Sequence, residues 1–430
     1  VKPSNFGPQI PKLCGADVEL GNFVLGVGAG DDTCAEAAHA LLYQIEGFPR
    51  RRWYQQQALA YTDSLGVLHI TPGRTNPQDW GRRYLSSNGG CVYIDLNHLE
   101  ICLPEVRSAW DHVAAWHAML RIARSAQEAT IAHRSSERRI QVLANNSDGR
   151  GNSYGSHLDF LVTRQAWDNI FERKLQYQLF LAAHQVSSIV YAGAGKVGSE
   201  NRAPDATFQL SQRADFFERT CGTETTFNRP IVNARDEALC GRSSIHEEDV
   251  PADRMARLHV IFYDSTLSHV ASLLKVGAMQ IVLAMIEAEC VPIRFALEDP
   301  LRALREWSRD PAMQVRAETV GGAHLTAVEL QMRIVELARR FIDRGGCDGI
   351  VPRAREILSL WEETLTLLEA GDIATLAPRV DWALKLMALT RALDRRRDLD
   401  WGSPEIKYLD HLYSSLDPNE GLYWGYERSG

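Results

Sequence analysis

Cys14-Gly-Ala-Asp-Val-Glu-Leu-Gly21 sets two carboxylates, Asp17 and Glu19, two residues apart in a stretch with the alternation of a strand. Successive strand side chains point to opposite faces, so both acids share one face and enter one cavity. Like charges held that close repel unless a cation lies between them, and a pair of hard oxygen ligands suits Mg²⁺. The same spacing also occurs on ordinary solvated strand faces. The reading therefore depends on whether acids and histidines recur on other predicted strands.

They recur four times. Asn88-Gly-Gly-Cys-Val-Tyr-Ile-Asp-Leu-Asn-His-Leu-Glu100 reads as a short strand, Cys91 to Ile94, with Tyr93 and Asp95 on one face and Glu100 just beyond its end. A carboxylate there is placed to act as general base or nucleophile, or more plainly to accept backbone N–H groups. Asn145-Asn-Ser-Asp-Gly-Arg-Gly-Asn-Ser-Tyr-Gly-Ser-His157 is a loop of small residues suited to close approach by a ligand, ending on a histidine able to bind metal. Ser211-Gln-Arg213-Ala-Asp215 and Asn228-Arg229-Pro-Ile-Val-Asn233-Ala-Arg235-Asp-Glu237 set arginines among apolar residues. Guanidinium forks match phosphate oxygens; pairing with Asp215, Asp236 and Glu237 is the structural alternative. His259 lies in Leu258-His-Val-Ile-Phe-Tyr263, an alternating strand followed by Asp264-Ser-Thr as cap of a long apolar helix to about Ala288. Two glycine runs, Gly26–Gly30 and Gly193–Gly198, have neither dinucleotide-fingerprint nor P-loop spacing.

The 430 residues, 45% hydrophobic and 24% charged, can build one large domain with an appendage. A net charge of −8 implies no nucleic-acid surface. The sequence shows neither a run of about 18 apolar residues nor a signal peptide, so no membrane partner is expected. Eight scattered cysteines without a CxxC pair read as reduced thiols, and a cytoplasmic location is the expectation. Mixed periodicities predict an α+β fold. Helices are expected at 32–45, about 105–128 and 166–186, and from 324 onward at 324–344, 353–370 and 376–395. Residues 47–88 read as an irregular insertion with a short hairpin near Val67 to Ile70.

Taken together, these segments resemble the Pup ligase and depupylase/deamidase family of bacterial pupylation, which shares its fold with glutamine synthetase and other carboxylate-amine ligases. The resemblance covers most of the chain. It is strongest at Asp17–Gly21, Asn88–Glu105, Asn145–His157, Phe208–Glu237 and Arg257–Glu287, and returns at Asp381–Lys385, Leu399–Trp401 and Gly421–Tyr423. It implies a curved antiparallel sheet forming a cradle backed by helices (1–375) and a small C-terminal helical domain (376–430), with ATP (or ADP plus phosphate) and Mg²⁺ as cofactors. By the same resemblance Asp17, Glu19 and Glu100 are metal ligands, with His157 and His259 near the metals. Asp95 is the catalytic aspartate with Tyr93 beside it, Arg213, Arg229 and Arg235 face nucleotide phosphates, and Trp401 contacts the nucleotide. The partners implied are a Pup-like small protein tag and tagged proteins.

The family has two branches. The ligase phosphorylates the tag's C-terminal glutamate and joins it to lysine; the depupylase cleaves that isopeptide bond and deamidates a C-terminal glutamine. Five steps from Asp95 to Glu100 and the long 47–88 insertion resemble the depupylase. Asp17 stands where the family has Glu, Cys91 replaces an arginine, Leu103 a small hydroxyl residue, and His98-Leu-Glu and His157-Leu-Asp depart from its motifs. The reading is an ATP/Mg²⁺-dependent depupylase/deamidase-like amidohydrolase. The alternatives are a ligase and a tag-binding pseudoenzyme.

Overall fold

The computed structural model describes residues 9–27, 33–49, 59–62, 68–71, 82–133, 139–235 and 255–429. Its spine is β1 (Cys14–Val24), a strand with neighbours on both edges. The remaining sheet strands are β2 (Phe48–Pro49), β3 (Arg83–Tyr84), β4 (Cys91–Asp95), β5 (His98–Val106), β6 (Ile140–Leu143), β7 (Ser156–Thr163) and β8 (Met255–Val260). They run in the order β8-β7-β1-β5-β4-β3-β2, all antiparallel, with β6 paired to β1 outside this path. Along one edge β1 pairs with β5. Along the other it pairs with β7 through Cys14–Val18 and then with β6 through Gly21–Val24. Glu19 and Leu20 lie where the partner changes.

Alternation sorts the two faces. Ala16, Val18, Leu20, Val92, Ile101, Leu158, Phe160, Leu258 and Val260 are buried on one side. Against that side pack α1 (Cys34–Gln44), α2 (Ala109–His133) and α4 (His269–Glu287), with α3 (Leu175–Ala192), α5 (Ala327–Asp343) and α6 (Ala354–Glu369) completing the helical layer. A fully buried Leu, Ile or Phe contributes about 1.5–3 kcal/mol, so this one-sided apolar face orients the sheet. By length and composition α4 could cross a membrane, but 89% of its apolar window is buried inside the protein. The C-terminal helices α7 (Asp381–Arg395), α8 (Pro404–Tyr413) and α9 (Leu422–Ser429) dock on the same core. There the sealed Trp382 donates to Val190 O at 2.8 Å, and Asp381 accepts the Leu267 and Ser268 N–H groups.

Several local expectations are corrected. Residues 98–106 are strand, which pushes the next helix from about 105 to Ala109. Asp264 does not cap α4, which starts at His269. Its carboxylate is taken instead by the Ala194 and Gln212 N–H groups, each at 2.9 Å, and by the Ser211 hydroxyl. The strand expected to reach Tyr263 ends at Val260. The helix expected over 166–186 is broken by a π-helical turn at Asn169–Arg173. Within 47–88 a hairpin pairs Leu59–Thr62 with Leu68–Thr71, while 50–58, 63–67 and 72–81 lie outside the described residues.

One buried ion pair ties chain segments far apart in sequence. Lys12 and Glu287 are fully buried with Nζ and Oε2 2.5 Å apart, and the Glu287 carboxylate also accepts Thr163 N at 2.7 Å. Removing one partner leaves the other charge buried and uncompensated. Glu287→Ala is therefore expected to cost about 3–5 kcal/mol, read as a lowered midpoint in denaturant unfolding.

Candidate active site

The face of the sheet opposite the core is polar and forms the floor of a cleft of 1360 Å³. Strand register builds it. Glu19 on β1 is paired with Glu100 on β5, which is paired in turn with Tyr93 on β4, so three polar side chains cross the sheet on one rung. Carboxylate oxygens of Glu19, Asp95 and Glu100 all lie within 4.8 Å of one another. Glu100 is thus inside β5, not beyond a strand end, because the chain reverses in two residues at Leu96 and Asn97. Asp17 sits one rung further, opposite His157 of β7, with His157 Nδ1 3.0 Å from Asp17 Oδ2.

The charges on this floor oppose one another. Burial, then the charges of Asp17 and Glu19, push the Glu100 carboxyl well above its usual range. Its Oε2 is buried and has no hydrogen-bond partner among the described residues. Burial works against charge on Asp17, yet the adjacent His157 holds its carboxyl well below the ordinary value. Tyr93 is raised by burial and by Glu100, and the Arg82 guanidinium lies 3.8 Å over its ring. An oxygen-only donor set with one orphaned buried oxygen fits a hard divalent cation such as Mg²⁺, whose charge would balance the cluster.

Two imidazoles stand beside the acids. His259 Nδ1 is 2.9 Å from Asp159 Oδ1, and the rings of His157 and His259 meet edge to face at 5.0 Å. Both rings are held through Nδ1 by a carboxylate, the arrangement that orients a histidine's other nitrogen toward a ligand. Asp159 also takes Arg257 at 3.4 Å. Asp159 enters the sequence only as a departure from the family motif in His157-Leu-Asp159; its local signal is the i, i+2 spacing shared with Asp17 and Glu19.

The loop between β6 and β7 closes the cleft where β1 changes partner. Its Gly155 N–H donates to the Glu19 carboxylate, and Glu19 N donates to Gly155 O at 3.0 Å. Two buried arginines grip the same loop from the other side. Arg213 Nε donates to Ser153 Oγ at 3.2 Å and Arg229 Nη2 to Ser153 O at 2.6 Å. Asp215, the expected ion-pair alternative, is taken by Lys196 at 2.9 Å and Arg309 at 2.6 Å. Asp236 and Glu237 lie outside the described residues. Arg213, Arg229 and Arg235 line the same cleft as the acids, together with Arg82 over Tyr93 and Arg257 beside Asp159. Trp401 does not line this cleft. It borders an adjoining 500 Å³ cavity that shares Asn145, Ser147, Asp148, Arg150 and His411 with it, and its ring packs 6.0 Å from Phe208.

The turn at Asp95 is held by a residue the sequence did not advertise. Asn22, 1% exposed, donates through Nδ2 to Asn97 O at 3.2 Å and Cys34 O at 2.7 Å, and its Oδ1 accepts Leu99 N at 2.8 Å. His98 Nδ1 lies 3.0 Å from Leu20 O.

A model of the Pup-ligase protein family matches residues 12–430. The chain belongs to that family. Among relatives of this Pup-ligase family chain is the depupylase of Acidothermus cellulolyticus, 35% identical over 82% of this chain and 66% of that protein. The Pup–protein ligase of Acidimicrobium ferrooxidans is 36% identical over 82% of this chain and 74% of its own length. The Pup deamidase/depupylase of Mycolicibacterium smegmatis is 34% identical over 91% and 75%. The chain thus spans about two thirds to three quarters of these relatives. Its fold matches the ligase PafA, solved in complex with the ubiquitin-like protein Pup, with a TM-score of 0.69 at 22% identity over 98% of this chain and 76% of PafA. PafA solved with ADP matches with a TM-score of 0.63 at 26% identity over 80% and 72%.

A Cβ at Gly155 would lie 2.4 Å from His157 Nε2, so a side chain there must displace the imidazole. Gly155→Ala should displace the imidazole and weaken any Mg²⁺ binding at the acid cluster by roughly 10–100-fold, the range for disturbed metal-site support, measured by titration calorimetry with thermal unfolding as the control for folding.

Proposed function

We propose that this chain is an ATP- and Mg²⁺-dependent amidohydrolase of the depupylase kind, acting on the C-terminal bond of a Pup-like tag. The observation that carries the reading is the convergence of Glu19, Asp95 and Glu100 within 4.8 Å in a cleft also lined by Arg213 and Arg229. Asp17, Glu19 and Glu100 would hold the metal, with His157 and His259 beside them. Bound there, Mg²⁺ would neutralise the clustered carboxylates and polarise phosphate and carbonyl oxygens. The arginines offset negative charge that builds on the nucleotide and on the reacting carbonyl. Asp95 is the one acid of the trio at a strand end beside the open turn, and it supplies the carboxylate that attacks the scissile carbonyl or activates water for that attack. The same proposal includes a cytoplasmic location, consistent with the free cysteines.

The five-residue step from Asp95 to Glu100 and the long 47–88 insertion support the hydrolytic direction through their resemblance to the depupylase branch, the ligase having one residue more between these acids. A ligase is the second reading, favoured by the 36% identity to a Pup–protein ligase. Stoichiometry separates them: a ligase releases one ADP per bond formed, whereas a hydrolase cleaves many bonds without net nucleotide use. Mass spectrometry of a Pup-like peptide ending in glutamine, incubated with the protein, ATP and Mg²⁺, is expected to show conversion to glutamate. Formation of a lysine conjugate with matching ADP release would overturn the hydrolytic reading.

Asp95→Asn should lower turnover by roughly 10²–10⁴-fold while leaving nucleotide affinity nearly intact in calorimetry. Turnover at the parent rate would remove Asp95 from the chemistry.

A further inference from the structure

The turn between β4 and β5 contains a residue whose conformation and exposure are both unfavourable. Leu96 and Asn97 have φ of 43° and 73°. Two-residue turns with both centres left-handed favour Asn, Asp and Gly, since a side chain there crowds the backbone. Asn97 meets that preference and Leu96 does not. Leu96 is also 66% exposed, so burial does not offset the strain. A strained residue persists when its surroundings over-determine it, and here Asn22 clamps both sides of the turn through Asn97 O and Leu99 N. The turn would close equally well with a polar residue at 96. Two unfavourable features at one residue on the cleft wall, immediately after Asp95, point to a contact absent from the free protein.

We propose that Leu96 is a substrate-contacting residue, its isobutyl group covering the aliphatic stem of the chain end whose carboxamide or isopeptide bond lies at Asp95. The inference rests on the hydrolytic function proposed above and assigns it a specificity contact. A glutaminyl or isopeptide-linked glutamyl side chain carries its reacting carbonyl on a short methylene stem. Holding the carbonyl at Asp95 brings that stem past the next residue of the turn. The stem and Leu96 then leave water together, an apolar gain made only in the complex.

Steady-state ammonia release from a synthetic Pup-like peptide ending in glutamine, using the full chain with ATP and Mg²⁺, tests this. Leu96→Asn should raise KM roughly tenfold, in line with loss of most of a buried leucine contact. It should change kcat by less than about twofold. Its thermal midpoint should equal or exceed that of the parent, because asparagine suits the turn. Leu96→Met, which keeps apolar bulk, should retain the parent KM. An unchanged KM in Leu96→Asn, a fall confined to kcat, or a lowered midpoint that accounts for lost activity would each overturn the assignment. If the parent itself releases no ammonia, the hydrolytic reading fails. The Leu96 contact is then judged by calorimetric affinity for the same peptide, where equal affinities of parent and Leu96→Asn overturn it.

Discussion

Mutual repulsion among Glu19, Asp95 and Glu100 is the constraint around which the rest of the molecule is arranged. Three carboxylates within 4.8 Å are unfavourable on a protein floor where one of them is 4% exposed. The fold maintains the arrangement through pairing: Glu19 faces Glu100 and Glu100 faces Tyr93 by register, and neither strand can slip without turning its apolar face into the cleft. The energy that holds the acids together therefore comes from the other side of the sheet, where Val18, Leu20, Ile101 and Val92 are buried beneath the helices.

Charge is managed by separation. The acids and the carboxylate-bound histidines lie on the strands, while Arg213 and Arg229 reach in from outside the main sheet. The loop ending at Gly155 is held between the two, donating one N–H to Glu19 and receiving two arginine side chains at Ser153. Arg213 is 1% exposed, so burial and neighbouring Arg229 both work against its charge, with Asp264 and Glu19 compensating. A cleft lined by both carboxylates and guanidinium groups is suited to a ligand that carries both signs, as a metal–nucleotide complex does.

Rigid support and strain meet at the hairpin tip. Asn22 reaches from β1 to hold the turn, and the His98 ring stacks on Tyr154 at 4.3 Å from the loop side. The backbone of the turn after Asp95, with Leu96 at φ 43°, is thereby held at Asn97 and Leu99.

The sequence by itself determined the face of each strand. Side-chain alternation is local, so Asp17 with Glu19 and Tyr93 with Asp95 could be placed on common faces from their spacing alone. The apolar helices from 324 onward were legible for the same reason, their period being a property of consecutive residues. The acid, arginine and histidine segments also carried the family resemblance that the family model matches over residues 12–430. Only the tertiary structure decided which of these faces meet. Glu100 was placed past a strand end because two residues, Leu96 and Asn97, suffice to reverse the chain, and Leu is no turn signal. Asp264 read as a cap because its buried partners, the N–H groups of Ala194 and Gln212, lie 70 and 52 residues away in the chain. Asn22 and the loop clamp at Ser153 were invisible for that reason too: each acts through hydrogen bonds to distant segments, and no local period records them.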